Sequence, residues 1–213
     1  MRKIGENESY ISKLIREDLV EDFIAHVNKF NIKRNSTIPQ SIYETNTFLV
    51  KKQNEVTLIE YAAFFGSIQI FTFLKYEGVK LTPSLWYCAI HGKNSELIHL
   101  LEENHVGLTT DGEKEKIYKG CFKESIKCHH IEFADYFLSN FLQNEYESSS
   151  EAVTKSLEYY NFAFLQKEHI NEKSFCHLCN YDYYSLAHNI LTRRDVDINS
   201  KTKQAKTALL LAI

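Results

Sequence analysis

Hydrophobic residues recur at helical spacing on both sides of a short polar break between positions 57 and 74. Counted from Leu58, apolar residues stand at i, i+3, i+4 and i+7, and the pattern stops at Gly66-Ser67. A second apolar pattern follows at once in the letters IQIFTFL. Because glycine favours the end of a helix, this stretch predicts two short helices joined by a tight turn.

The same helix–turn–helix pattern returns along the chain. We use Ala62, a small residue inside the first helix, as the reference position of a unit and call it the anchor. Later anchors follow at intervals of 27, 36, 31, 22 and 34 residues, at Ala89, Ser125, Ser156, Leu178 and Ala212, and an atypical first unit is anchored near Leu14. All but Leu178 of the anchors from Ala62 onward are small, as expected where helices of neighbouring units approach closely.

Two segments resemble the ankyrin repeat. Thr57-Leu58-Ile59-Glu60-Tyr61-Ala62-Ala63, followed by Gly66, resembles the consensus T-P-L-H-x-A-A-x-x-G. The letters DINSK at 197–201, followed by TALLLAI at 207–213, resemble the ankyrin junction D-V-N-A-K and the start of the next repeat. The sequence as a whole resembles a large ankyrin-type family of parasitic protists. This resemblance covers roughly residues 10–213. It implies an all-α, ankyrin-like helix–turn–helix solenoid with irregular repeats.

The chain also departs from the ankyrin pattern. At the threonine position, only Thr57, Ser84 and Thr207 could cap a helix N-terminus. We therefore expect short or missing β-fingers in the middle units, none between Ser156 and Leu178, and the strongest finger between residues 195 and 207. The second half has no glycine after Gly120, so its helices should end with Asn, Asp or Ser.

The resulting organisation is one continuous domain. Residues 1–53 form an atypical N-terminal helical unit with a link, and residues 54–213 form the ankyrin-like repeats. The last repeat is truncated, because Thr207-Ala208-Leu209-Leu210-Leu211-Ala212 opens a unit whose second helix is missing. An apolar terminal helix leaves the end of an array uncovered, so we expect the chain to be part of a longer protein.

Composition and charge restrict the function and the compartment. The net charge of −3 offers no general basic face for phosphates, which argues against nucleic-acid binding. The N-terminus lacks the apolar core of a signal peptide, and five cysteines, an odd number, fit a reducing cytoplasm. The most apolar stretch, residues 58–74, divides at Gly66 into two short helices, so no membrane span is expected.

Catalytic motifs are scarce, and we expect neither an enzyme nor a bound cofactor. The chain has no phosphate-binding glycine loop, no H-E-x-x-H and no G-x-S-x-G. The one chemical cluster is Cys176-His177-Leu178-Cys179, a C-x-x-C that could bind zinc or act as a redox pair. The favoured interpretation is packing, because cysteines three apart on a first helix behave as small buried hydrophobes.

The leading hypothesis is a non-catalytic protein-interaction module that binds a protein partner on a concave face. The resemblance implies that the two positions after each anchor pair face a partner. The candidate partner-binding residues at those positions are His91, Lys127, Glu158, Tyr159, Asn180 and Tyr181. Phe64 and Phe65 fall at equivalent positions and are expected in the core. The alternatives are a structural spacer within a longer chain and a metal-binding or redox protein that uses Cys176 and Cys179.

Overall fold

A computed structural model describes residues 5–51, 56–142, 146–164, 172–193, 196–202 and 205–211. The described residues form α-helices, one 3-10 turn at Phe162–Phe164 and two isolated β-bridges, with no β-strand among them, which confirms the all-α prediction. The helices are α1 Tyr10–Arg16, α2 Val20–Lys29, α3 Thr47–Lys51, α4 Leu58–Phe65, α5 Ile68–Tyr76, α6 Ser84–His91, α7 Ser95–Glu103, α8 Asp111–Lys127, α9 Ile131–Phe141, α10 Tyr146–Glu158, α11 Glu172–Asn180, α12 Tyr184–Arg193 and α13 Ala208–Leu211. The chain divides into two compact units, Met1–Ile117 and Tyr118–Ile213.

One backbone turn ends the first helix of every described pair. Four residues after each anchor, the chain takes a left-handed conformation with φ from 49° to 70°. The residues at this position are Asp18, Gly66, Lys93, His129, Tyr160 and Asp182. Each donates its backbone N–H to the carbonyl of the residue just after the anchor. This is half of a Schellman motif, which satisfies carbonyls that the end of a helix leaves unpaired.

The anchor carbonyl supplies the other half of the motif. In five of the six described turns it accepts the N–H of the fifth residue after the anchor, at 2.8–3.0 Å. The prediction that helices after Gly120 end with Asn, Asp or Ser is wrong for two of three such turns. His129 and Tyr160 take the left-handed position instead of an Asn, Asp or Ser. The backbone hydrogen bonds of the turn hold these residues in a backbone conformation that non-glycine residues rarely adopt.

The anchors themselves are buried. Ala62, Ala89, Ser125, Ser156 and Leu178 are fully shielded from solvent, and Leu14 is 2% exposed. The sixth anchor, Ala212, lies outside the described residues. Burial at every described anchor explains why the position favours small side chains.

In the first unit, first helices pack on first helices and second helices on second helices. Helix α4 contacts both α1 and α6, and α2 contacts α5. The carboxylate of Asp18, at the end of α1, accepts the backbone N–H groups of Gln69 and Ile70 at 3.0 Å each. Ser67, the residue just before α5, makes no side-chain capping bond to the helix. Asp18, a residue of the preceding helix pair, caps the N-terminus of α5 instead.

The second unit repeats this order with α10, α11 and α13. Helix α11 contacts α10, α12 and α13. Buried apolar side chains of these helices form its core, at Val153, Leu157, Phe175, Cys176, Leu178, Ala187 and Ala208. In the part of the chain that is described, no helix is long and apolar enough to cross a membrane.

The two segments that resemble ankyrin share a short bridge before the helix. Thr57 pairs with Thr37, and Thr207 pairs with Lys201, both antiparallel. A backbone hydrogen bond lies beside each bridge. The Ile38 N–H donates to the Val56 carbonyl at 2.8 Å, and the Thr202 N–H donates to the Lys206 carbonyl at 2.9 Å. In the interval 195–207, where the strongest finger is expected, the described residues show the isolated bridge between Lys201 and Thr207. Residues 165–171, in the interval expected to lack a finger, lie outside the described residues.

The capping predictions have mixed outcomes. Thr57 caps α4 in a reciprocal capping box with Glu60, and Thr207 accepts the N–H of Leu210 at 3.5 Å. The prediction for Ser84 is wrong, because Pro83 precedes α6 and Ser84 is its first helical residue. The Ser84 hydroxyl donates instead to the Glu60 carboxylate, which joins α6 to α4.

Candidate protein-binding surface

Five of the six predicted partner-binding residues, all but His91, lie at the C-terminal ends of α8, α10 and α11 in the second unit. Lys127 is the last residue of α8, Glu158 ends α10, and Tyr159 and Tyr181 follow α10 and α11. Three further side chains adjoin them one turn earlier on the same helices. We call this set the aromatic–charged patch: Glu124, Lys127, Lys155, Glu158, Tyr159, His177 and Tyr181.

Ion pairs neutralise the charges of the patch within single helices. Lys127 lies 2.7 Å from Glu124, and Lys155 lies 2.5 Å from Glu158, each pair at i, i+3. The Lys155 ammonium also lies 5.6 Å from the ring centroid of Tyr159. With two lysines and two glutamates, the patch carries no excess of either charge.

The three ring-bearing titratable groups of the patch, Tyr159, His177 and Tyr181, are held in their neutral forms at pH 7. Burial, reinforced by a hydrogen bond with Glu158, raises the pKa of Tyr159 to about 12. Burial likewise raises the pKa of Tyr181, and the Glu158 carboxylate adds to the effect. Burial lowers the pKa of His177, whose ring stacks on Tyr181 with centroids 6.3 Å apart. The aromatic groups therefore offer neutral donors and acceptors beside paired charges.

Glu158 behaves differently from its neighbours. Burial acts to raise its pKa, but hydrogen bonds with Lys155 and Tyr159 and the Lys155 charge together lower it. The carboxylate is thus charged at pH 7 and fixed between an ammonium and a phenol. This arrangement holds the Tyr159 ring in place over the end of α10.

The other two predicted residues are not part of the patch. Asn180 is exposed at the last position of α11. His91 ends α6 in the first unit, where its ring stacks on Phe64 at 4.8 Å and lies 4.4 Å from Phe48. Phe64 is buried, as expected, and Phe65 is half-buried beneath the Arg16 guanidinium at 5.9 Å.

Sequence reasoning missed Glu124, Lys155 and His177. Each lies three or four residues before a residue that was predicted, so helical spacing alone would have added them. A second aromatic cluster was also missed, in which Tyr160 and Phe162 lie 5.8 and 5.7 Å from Tyr183. The sequence indicates this cluster less clearly. Tyr160 lies in the turn and Phe162 in the 3-10 segment, so helical spacing does not relate them to other residues.

The cysteines of the C-x-x-C are packed into the core of the second unit. Cys176 is buried and Cys179 is half-buried against the same apolar cluster. Burial, then the neighbouring Cys176, raises the pKa of the Cys179 thiol. Metal binding and thiol exchange need a thiolate, so this environment opposes both.

No protein-family model matches the sequence, and no curated protein matches it.

Proposed function

We propose that the chain is a non-catalytic protein-interaction module, built as an ankyrin-like solenoid of irregular repeats, and that its partner binds the aromatic–charged patch. The observation that carries this proposal is the position of the patch at the same end of successive first helices in the second unit. Side chains at such positions can vary without disturbing the buried anchors.

The repeat assignment is supported by a fixed register. Each described unit places its left-handed turn four residues after the anchor, even where the sequence has lost the ankyrin consensus. A shared backbone turn at a constant offset from a buried position is what a repeated helix pair requires. The bridges before Thr57 and Thr207 add the second element of an ankyrin unit, the start of a finger.

The chemistry of the patch favours a protein over a phosphate-bearing partner. Its charges are balanced, so it would release few counterions from a nucleic acid. Tyrosine provides a large, nearly rigid contact area together with one hydroxyl, and it is enriched among residues that dominate binding energy. The Lys155–Glu158 ion pair contacts Tyr159 and fixes its ring before binding, which lowers the entropy cost of association.

The test compares two double variants of equal composition. Tyr159→Ala with Tyr181→Ala removes both phenols of the patch, whereas Tyr76→Ala with Tyr184→Ala removes two tyrosines that are 83% and 73% exposed elsewhere. The full chain and both variants are used to capture proteins from an extract of the source cells, quantified by mass spectrometry, and circular dichroism checks that each is folded.

We expect one or more partners that are retained by the control variant and reduced about tenfold or more by the patch variant. The affinity of a purified partner should then follow the same order in titration calorimetry. Equal capture by both variants would remove the patch as the binding surface. The absence of any selective partner would favour the alternative, a structural spacer.

A further inference from the structure

The second aromatic cluster of the second unit is not part of the aromatic–charged patch. Its members are Tyr160, Phe162 and Tyr183. Tyr160 is 63% exposed and Phe162 is 49% exposed, while Tyr183 is half-buried. An exposed aromatic surface of several adjacent rings is typical of an interaction site.

Hydrogen bonds fix the backbone and one of the rings of the cluster. The Tyr183 hydroxyl donates to the Leu157 carbonyl at 2.8 Å. Asn161 lies between the other two members in sequence, and its side-chain amide donates to the Ile126 carbonyl at 2.8 Å. The Asn161 side-chain oxygen accepts the Ala163 N–H at 3.4 Å. The segments that carry the rings are thus tied down before any ligand arrives, which lowers the entropy cost of binding.

The rings meet at steep angles. The plane of the Phe162 ring is inclined by 86° to that of Tyr183, and the plane of the Tyr160 ring by 55°. Rings inclined in this way form a corner, whereas parallel rings would form a flat stack. A compact, nearly spherical group in a corner contacts more than one ring, whereas a planar guanidinium stacks on a single face.

The ring faces attract positive charge, and the cluster has no cation of its own. An aromatic ring carries the negative part of its quadrupole on its face and binds a cation there. The adjacent Tyr159 already has such a partner, because the Lys155 ammonium lies 5.6 Å from its ring centroid. In the part of the chain that is described, no cation lies over the rings of Tyr160, Phe162 or Tyr183.

Asp182 adds a negative charge beside the cluster. It is exposed and occupies the left-handed turn directly before Tyr183, with φ 56°. Its carboxylate forms no ion pair with any residue that the structure describes. Asp182 is also the one charged residue in the segment 178–186, and the segment 159–164 contains none. The cluster therefore combines three aromatic rings with one carboxylate, and the two segments that carry it bring no positive charge.

We propose that the second aromatic cluster binds a trimethylated lysine side chain, with the quaternary ammonium in the corner of the three rings and the Asp182 carboxylate as the opposite charge. A trimethylated ammonium has no N–H donors, so it loses few hydrogen bonds to water when the rings surround it. An unmodified lysine ammonium has three donors and is strongly hydrated, and aromatic faces do not replace that water.

The source of the group rests on the proposed function, in which the partner is a protein. Tyr160 follows Tyr159 of the patch, and Tyr183 lies two residues after Tyr181 of the patch. A protein that contacts the patch can therefore place a lysine side chain at the second aromatic cluster.

NMR titrations of the full chain test the proposal with four small probes. They are Nα-acetyl-trimethyl-lysine amide, Nα-acetyl-lysine amide, the neutral analogue of the first in which a tert-butyl group replaces the trimethylammonium, and choline. We expect the trimethyl-lysine probe to bind about fivefold or more tightly than the unmodified and the neutral probes. Choline lacks the lysine stem and should bind more weakly than the trimethyl-lysine probe.

Three outcomes of these titrations would overturn the proposal. Equal affinities for the trimethyl-lysine probe and its neutral analogue would show a site that responds to apolar shape alone. Tighter binding of choline would assign the cluster to a small molecule. The lack of any binding by the trimethyl-lysine probe at millimolar concentration would remove the site.

Variants then locate the site. Tyr160→Ala and Phe162→Ala each remove a ring and should weaken the trimethyl-lysine probe about fivefold or more, whereas Tyr160→Phe keeps the ring and should bind like the parent chain. Tyr184→Ala removes an exposed tyrosine of α12 outside the cluster and is the matched control. Circular dichroism checks that each variant is folded. Unchanged binding in both folded ring variants would refute the assignment.

A surface substitution keeps the test decisive where a ring variant fails to fold. Asp182→Asn removes the charge and keeps a side chain that tolerates the left-handed turn. We expect it to weaken the trimethyl-lysine probe about twofold or more at low salt and to leave the neutral analogue unchanged. Equal effects on the charged and the neutral probe would contradict the role of the carboxylate.

This proposal and the proposed function fail separately. Selective capture of a partner by the patch without binding of the trimethyl-lysine probe would overturn the cation site alone. Binding of the probe without any selective partner in the capture experiment would overturn the proposed function alone.

Discussion

At the scale of single residues, the left-handed turns show how little the local sequence has to specify. Lys93, His129 and Tyr160 adopt a positive φ that glycine takes without strain. For such residues the conformation costs on the order of 1 kcal/mol. The packing of the next helix and the backbone hydrogen bonds of the turn, one at Lys93 and two each at His129 and Tyr160, offset this cost. Only Gly66 among the six described turns has the residue that the conformation favours.

Glycine is required at Gly92 for a different reason, the close approach of α4. A Cβ on Gly92 would lie 2.4 Å from the Ala63 carbonyl oxygen and 2.8 Å from the Gly66 nitrogen. Gly92→Ala should therefore lower the free energy of unfolding by about 3 kcal/mol, because backbone atoms must move. Gly112→Ala meets nothing within 4 Å and lies in α8, so it should be neutral or stabilising by up to about 1 kcal/mol. Urea denaturation of both variants checks this, and equal effects would contradict the close approach.

The anchor Ser156 contains a correctable defect. Its hydroxyl is fully buried and lacks a hydrogen-bond partner in the described part of the chain, whereas the Ser125 hydroxyl donates to the Cys121 carbonyl at 2.8 Å. Ser156→Ala should raise the free energy of unfolding by about 1 kcal/mol, since an unmet polar group is removed. Ser125→Ala should stabilise the chain less, because this variant also loses the hydrogen bond to the Cys121 carbonyl. Thermal melts of the two variants would refute the reasoning if Ser125→Ala were the more stabilising.

At the scale of elements, one side-chain hydrogen bond sets the register between neighbouring helix pairs. At three junctions, the side chain of the fifth residue after an anchor donates to the carbonyl of the first residue after the preceding anchor. This bond joins Ser67 to Ile15 at 2.5 Å, Asn161 to Ile126 at 2.8 Å, and Tyr183 to Leu157 at 2.8 Å. At another junction, the Asn94 amide donates to the Gly66 carbonyl instead. At the first three junctions, a serine, an asparagine and a tyrosine make the equivalent hydrogen bond. The geometry of the stacked helices therefore places the donor, and no single residue type is required at this position.

Asn161 offers the sharpest test of this register bond, because it is 4% exposed. Asn161→Ala should destabilise the chain by about 1–2 kcal/mol, since a buried amide–carbonyl bond is lost. Asn140→Ala is the matched control, because the Asn140 amide bonds the Tyr136 carbonyl of its own helix at the surface. We expect a change below about 0.5 kcal/mol for the control, measured by urea denaturation. Similar losses in both variants would show that the bond between pairs adds nothing specific.

At the scale of the whole molecule, buried tyrosines and thiols make stability depend on alkaline pH. Burial raises the pKa of Tyr61, Tyr159, Tyr181 and Tyr183, and it raises the pKa of Cys128 to about 12. The folded chain therefore holds protons that the unfolded chain releases from about pH 9 upward. Because the unfolded state then binds fewer protons, the free energy of unfolding falls as pH rises.

The expected profile is a stability that is constant to about pH 9 and declines between about pH 9 and 12. Urea midpoints measured at closely spaced pH values would show it. Cys128→Ala should remove part of the early decline, which begins at the pKa of an unfolded thiol, and Tyr159→Phe part of the later decline, which begins near pH 10. Flat stability through pH 11 would mean that these groups are as solvated in the folded chain as in the unfolded one.

The sequence predicted the positions of the helix pairs because a helix needs an apolar stripe of fixed period, and that stripe is local. The anchor positions could be found for the same reason, since a small or apolar residue at a constant offset marks the tightest contact. The N-cap at Thr57 was predicted as well, because a threonine just before an apolar helical stripe is a local signal. The reciprocal bond from Glu60 was not predicted. Candidate residues at the ends of α8, α10 and α11 followed from the resemblance and the offsets together.

Tertiary structure alone decided which residues meet across the pairs. Nothing local indicates that Asp18 caps α5 or that the Asn161 side chain reaches the Ile126 carbonyl. These contacts join residues 35 to 52 positions apart. The hydrophobic period determined where the chain folds into helices, while the partners of its polar groups depended on the distances that only the packed helices fix.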